Sequence, residues 1–249
     1  RRFSRLALSL LLAFLAVSGV RTVYQYDGQN IFLRPLQLDP AHPGKRRLGE
    51  LIFLNAWVLQ SDNENFGGIS ALAALPENRF VGVSDAGTLI GFGLSQNDSV
   101  DRPFIAALPD AIGGNVDYAD RDSEGITYDP QSGRGWISYE WKHAIRRFSP
   151  SFARVEAKAQ PRAMAGWPNN SGGEAIVRLR DGRFLVFSEG AKRGEGIYAA
   201  ILFSGDPTET GTVAREFRYR PPLGFKPTDA VQLPDGRLIV LHRQVALPY

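Results

Sequence analysis

EAIVRLRDGRFLVFSE, residues 174–189, decides the fold. Two short apolar runs flank Asp181-Gly182, a dipeptide that turns a chain sharply back on itself, and an acid closes each end. Val, Ile and Phe fill the runs, which favours strands over helix. The stretch therefore predicts an antiparallel hairpin with its turn at one end and two carboxylates at the other.

The same unit recurs three more times. It reads DAVQLPDGRLIVLH at 229–242, EGITYDPQSGRGWISYE at 124–140 and GGISALAALPENRFVGVSD at 67–85. Repeats at a fixed spacing of roughly 40–50 residues mark a propeller whose blades have four strands. Glu124, Glu174 and Asp229 follow one another at such intervals. Weaker strands fill the gaps, at 144–148 and 196–203. The apolar segment 51–59 precedes the first copy and reads as an outer strand that closes the ring. The expected fold is an all-β propeller of four-stranded blades, six-bladed when complete. The chain stops at Tyr249 directly after a strand, so the C-terminal blade or two are expected to be missing. A helical solenoid fails on the β-branched content and on the Asp-Gly turns.

Register then places the acids. A two-residue Asp181-Gly182 turn sets Glu174 opposite Glu189. Asp235-Gly236 likewise sets Asp229 opposite His242, and Glu124 and Glu140 flank a turn centred on Ser132. Like charges facing each other across a sheet repel, so a repeated arrangement of this kind implies a compensating cation or ligand. The innermost strand of a blade lines the channel, and the acids are expected at one mouth of it. The alternative is that these acids cap backbone N–H groups and pin the blades together.

The chain has 249 residues, 43% hydrophobic and 22% charged, with 26 Gly and 16 Pro. That suits a globular all-β fold with many turns. The absence of Cys excludes disulfides, thiolate metal sites and Cys nucleophiles. Residues 1–20, RRFSRLALSLLLAFLAVSGV, join a basic start to an apolar run and a small-residue site at Val17-Ser18-Gly19. This is the grammar of an export signal. An uncleaved membrane anchor is the alternative, and the propeller would occupy 21–249. The protein is expected in the periplasm or secreted, as a monomer that meets membrane only through that segment. The leader carries three Arg and no acid, so the +3 of the whole chain leaves a neutral remainder. A nucleic-acid partner is therefore not expected.

Several pieces together resemble the family named for the esterase-like activity of phytase, a set of exported bacterial propeller-like proteins. They are Phe66-Gly67-Gly68-Ile69-Ser70, Ser84-Asp85-Ala86-Gly87, Asp122-Ser123-Glu124-Gly125, Asn170-Ser171-Gly172-Gly173-Glu174, and Pro227-Thr228-Asp229 followed by Leu233-Pro234-Asp235-Gly236-Arg237. Ala86 stands where a basic residue is expected, and Leu241-His242-Arg243 where many relatives carry an acid before the Arg. The resemblance implies hydrolysis of a small-molecule ester or phosphoester. It implies a divalent cation, calcium first, held by Asp85, Asp122, Glu124, Glu140, Asn170, Glu174, Glu189 and Asp229. Glu124, Glu174 and Asp229 are the candidate catalytic groups, and Arg121, Arg243 or Lys142 would neutralise phosphate. Lactonase propellers, which use Glu, Asn and Asp, offer Glu124, Asn170 and Asp229 as a second template. A non-catalytic binding module with a structural ion is the remaining reading. A Ser nucleophile is disfavoured because no Gly-x-Ser-x-Gly elbow exists, and Ser70 reads as a small packing residue. His42 and His143 read as surface residues.

Overall fold

The computed structural model describes residues 27–109 and 117–244. Residues 1–20, read as an export signal from sequence, lie outside them. The described residues begin with β1 (Phe32–Pro35), β2 (Arg47–Leu48), β3 (Leu51–Ile52) and β4 (Trp57–Gln60). β1 pairs with β4, and β2 with β3. The apolar segment 51–59 is thus two strands in two different pairs, not one closing strand. Gly49, at φ +59°, turns β3 back onto β2, and Phe53 N–H bonds Arg46 C=O at 2.7 Å.

Three four-stranded antiparallel sheets follow in strict chain order. The first holds β5 (Ile69–Leu75), β6 (Arg79–Ser84), β7 (Thr88–Leu94) and β8 (Val100–Ala107). A one-turn helix, α1 (Tyr118–Arg121), leads into the second: β9 (Ser123–Tyr128), β10 (Gly135–Tyr139), β11 (Ala144–Phe148) and β12 (Val155–Ala159). The third holds β13 (Gly173–Arg178), β14 (Phe184–Gly194), β15 (Ile197–Phe203) and β16 (Ala214–Tyr219). β17 (Lys226–Gln232) and β18 (Leu238–Arg243) form a fourth hairpin. The first strands β5, β9, β13 and β17 pack side by side in sequence order. These are the blades of a β-propeller, and all four predicted hairpins occupy the first two strands of successive blades.

Period-two alternation makes each blade apolar on both faces. In β14, Phe184 and Val186 enter the core shared with the second blade, while Leu185 and Phe187 enter the core shared with the fourth hairpin. In β10, Ile137 and Tyr139 face the first blade and Trp136 faces the third. The Trp136 ring meets Phe184 edge-on at 5.0 Å, as expected of a residue between blades. Leu59 of β4 packs with Ile90, Phe92 and Ile105 on the free face of the first blade. Burial on both sides explains why the blade strands read as continuous apolar runs.

The turns differ from the two-residue reading. Leu179 N–H bonds Arg183 C=O at 2.7 Å, and Gly182 N–H bonds Leu179 C=O at 2.9 Å. Three residues, Arg180 to Gly182, therefore form the turn, with Gly182 at φ +86°. Such loops place Gly in the left-handed position. Asp181 fixes the geometry by accepting from the Arg183 N–H at 3.1 Å. The same pattern recurs at Leu233–Arg237, with Gly236 at φ +88°.

Candidate functional site

Each hairpin skips one residue at its open end. In the first, Ile69 pairs with Ser84 and Ala71 with Val83, leaving Ser70 unpaired. In the second, Ser123 pairs with Tyr139 and Gly125 with Ser138, leaving Glu124. In the third, Gly173 pairs with Ser188 and Ala175 with Phe187, leaving Glu174. In the fourth, Pro227 pairs with His242 and Asp229 with Leu241, leaving Thr228. These are β-bulges, which re-aim a side chain and recur next to functional sites. The residue that follows each second-strand pairing position is, in the same order, Asp85, Glu140, Glu189 and Arg243. All eight of these residues line one cavity of about 400 Å³. Tyr118, Asp122 and Asn170 line it too.

Small residues permit this convergence. A Cβ at Gly125 would stand 2.5 Å from the Glu174 carbonyl, so only Gly lets β9 and β13 approach so closely just below their two bulges. A Cβ at Gly68, where φ is +56°, would stand 2.6 Å from the Asp85 carboxylate.

The carboxylates form two overlapping triads. Oxygens of Asp122, Glu124 and Glu140 lie within 4.8 Å of one another, and so do those of Glu140, Glu174 and Glu189. Glu140 belongs to both. Asp122, Glu140, Glu174 and Glu189 are buried, with Asp122 only 2% exposed. Burial first, then the neighbouring acids, pushes Glu124 up to about 8, Glu174 up to about 9 and Glu140 up to about 7. Asp122 is also raised by burial. Its Oδ1 accepts the Tyr118 hydroxyl at 3.1 Å, and Tyr118 itself is pushed up to about 12. Glu140 Oε1 accepts the Gly172 N–H at 3.3 Å, and the Ser70 hydroxyl donates to the Gly68 C=O at 3.4 Å. Arg243 donates from Nη2 to Glu189 Oε1 at 3.0 Å.

Seven of the eight residues expected to hold a metal meet here: Asp85, Asp122, Glu124, Glu140, Asn170, Glu174 and Glu189. Asp229 does not. It lines a separate, largely apolar cavity of about 470 Å³ beside Leu72, Ile126 and Val177. There burial raises it to about 6, while its Oδ1 accepts the Ala230 N–H at 2.7 Å. Thr228 holds the position that Glu124 and Glu174 hold in their hairpins. The fault lies in the register: a three-residue turn and a bulge together displace every pairing assumed from Asp-Gly alone. Asp229 faces Leu241 rather than His242, and His242 instead meets the Tyr219 hydroxyl at 2.7 Å. Glu174 and Glu189 are likewise not ladder partners.

Of the three candidate phosphate cations, Arg243 reaches the cavity, whereas Arg121 and Lys142 do not line it. Lys142 pairs with Asp120 at 3.8 Å. His143 is buried at 8% exposure, against the surface position expected for it. His42 is exposed, beside Asp39 at 3.1 Å. Ser70 and Thr228 were not expected at the site. Their signal was positional, since each precedes a residue that resumes the ladder.

The donor set fits a hard cation. It is all oxygen, crowded and partly buried, and its mutual repulsion is what a divalent ion relieves.

The fold and the site together define a β-propeller whose bulged hairpins gather carboxylates into one pocket. The chain belongs to the phytase-like family described as "esterase-like activity of phytase", which it matches over residues 64–248. No curated protein matches the sequence. Among solved structures it is similar to a protein from Lactobacillus plantarum, at 13% identity and a TM-score of 0.42. The alignment covers 88% of this chain and 57% of the other, so this chain spans little more than half of that relative's length.

Proposed function

We propose that the protein is an exported, metal-dependent hydrolase of esters or phosphoesters, with its reaction centre in the carboxylate cavity at the mouth of the propeller channel. The observation that carries this reading is the pair of triads sharing Glu140, set in a family of hydrolase type. Asp122, Glu124 and Glu140 would hold one divalent cation, calcium first, and Glu140, Glu174 and Glu189 a second. A cation bound in such a site polarises the ester or phosphoryl oxygen and acidifies water.

The remaining roles fall to the chain itself. Tyr118 Oη and the Gly172 N–H hold Asp122 and Glu140 in place. The bulges at Glu124 and Glu174 fix both carboxyl groups on strand backbone rather than on loops. In the cation-free cavity burial and the neighbouring acids raise both carboxyl groups, and a bound cation would hold them ionised as its ligands. Arg243 supplies positive charge opposite the acids. The lactonase-like template loses Asp229 from its triad and is not favoured.

Export rests on residues 1–20. Among the described residues no helix is long and apolar enough to cross a membrane. The deciding experiment follows hydrolysis of p-nitrophenyl phosphate and p-nitrophenyl acetate by the full chain with Ca²⁺, Mg²⁺ or Mn²⁺ and with chelator. Turnover with cation and none with chelator is expected. Cation binding without turnover on either substrate would leave a binding module in place of an enzyme.

A further inference from the structure

The fourth hairpin contributes no acid to the cavity. It contributes Thr228 and Arg243, and behind them stands Lys226. Lys226 and Arg243 are direct cross-strand partners. Like charges in that relation repel, so the pairing needs an anion to offset it. Glu189, from the neighbouring blade, is that anion. Its Oε1 lies 3.4 Å from Lys226 Nζ and 3.0 Å from Arg243 Nη2. Both cations converge on a single oxygen, and both side chains still reach solvent.

The same Glu189 belongs to the triad with Glu140 and Glu174. It thus has two competing claims on its charge. Drawn into a cation site, it leaves Lys226 and Arg243 without their counter-ion at the edge of the cavity. In the ion-paired state it blocks them.

We propose that Arg243, Lys226 and Thr228 form the substrate's anion-binding subsite, and that Glu189 is its lock, opened when a divalent cation takes the Glu189 carboxylate. The ligand class is a compact oxyanion such as a phosphoryl group, which the Arg fork can take bidentately and the Thr228 hydroxyl can reach from the facing strand. Cation and anion then bind with positive coupling, each tightening the other by the same factor. The inference rests on the cation reading given above.

The test is calorimetric and uses the full chain with inorganic phosphate and Mg²⁺ as probes. Phosphate should bind the Mg²⁺-loaded protein about tenfold or more tighter than the metal-free protein, within the usual range of coupling between sites. Glu189→Gln opens the lock without metal, so metal-free E189Q should bind phosphate as tightly as the loaded wild type. Adding Arg243→Ala or Lys226→Ala to E189Q should remove that gain, with melting curves confirming that each variant is folded. Phosphate affinity in metal-free E189Q equal to that of metal-free wild type would overturn the proposal. So would a gain that survives both cation deletions. Should the wild type bind no divalent cation at all, the proposed function and the opening of the lock by cation fail together, while the E189Q comparison still decides whether Glu189 masks Lys226 and Arg243.

Discussion

Glu174 and Glu189 converge on one cavity although the β13–β14 ladder does not pair them. Glu174 is pushed out by a bulge, and Glu189 follows the last paired residue, Ser188. Two displacements that would each ruin a simple hairpin register combine to bring two buried acids together.

The first consequence is a measurable repulsion. The double change Glu124→Gln with Glu174→Gln should leave the metal-free protein as stable as wild type, or more so. It should also abolish the rise in melting temperature produced by divalent cation. In wild type that rise corresponds to about 2.7 kcal/mol at a hundredfold excess over Kd. If Ca²⁺, Mg²⁺ and Mn²⁺ all leave the wild-type melting temperature unchanged, these acids are blade-pinning caps instead.

Stability should also fall with rising pH. Burial and the neighbouring acids push Glu140, Glu124 and Glu174 up to about 7, 8 and 9 in the folded protein, above the ordinary glutamate value of 4.5. The native state therefore binds more protons than the unfolded chain between about pH 5 and 9. Stability is fully present below the unfolded value and is lost as pH rises through the folded ones. Melting temperature measured in chelator should decline across that window, and saturating cation should flatten the decline. A flat metal-free profile would contradict the burial of these carboxyl groups.

Glu140 and Asp229 separate the site from its neighbourhood. Glu140→Gln removes a ligand common to both triads and should weaken cation binding by about tenfold or more, the scale expected for loss of a charged partner. Asp229→Asn, in the apolar cavity, should leave cation affinity unchanged. Calorimetric titration of both variants distinguishes them, and equal losses would restore Asp229 to the site.

Between the blades, Trp136→Ala should destabilise the protein by about 3–5 kcal/mol, because a large ring wedged against Phe184 leaves a void when removed. Chemical denaturation reads this directly. A loss under about 1 kcal/mol, the range of surface changes, would mean that the blades do not pack through this residue.

Much of this was legible in the sequence. The four hairpins announced themselves by apolar runs around turn residues, Gly-containing in three and Pro76-Glu77-Asn78 in the first, and seven of the eight proposed ligand residues reached the cavity. The bulges were not legible, because an unpaired backbone residue leaves no compositional mark. The nearest signal was a glycine within two residues of three of the four: Gly68 before Ser70, Gly125 after Glu124 and Gly173 before Glu174. Asp229 was misplaced because counting back from Asp235-Gly236 assumed a two-residue turn. Counting instead from the strand ends aligns Arg243 with Glu189 and Glu140, and that brings Thr228 into register. The third strand of the first blade went unread, since Leu89, Ile90 and Phe92 lie between glycines and carry no turn signal as strong as Asp-Gly.

The repeated bulge gives the cavity the character of a keyboard with fixed keys. Each hairpin presents two side chains at set points through its backbone alone. What stands there reads Ser and Asp, Glu and Glu, Glu and Glu, Thr and Arg around the arc. A lineage built on this frame can invert the polarity of one sector by changing two letters in one hairpin, with no loop to remodel and no blade to move. Divergence of ligand preference within such a fold is therefore a matter of spelling at these eight positions.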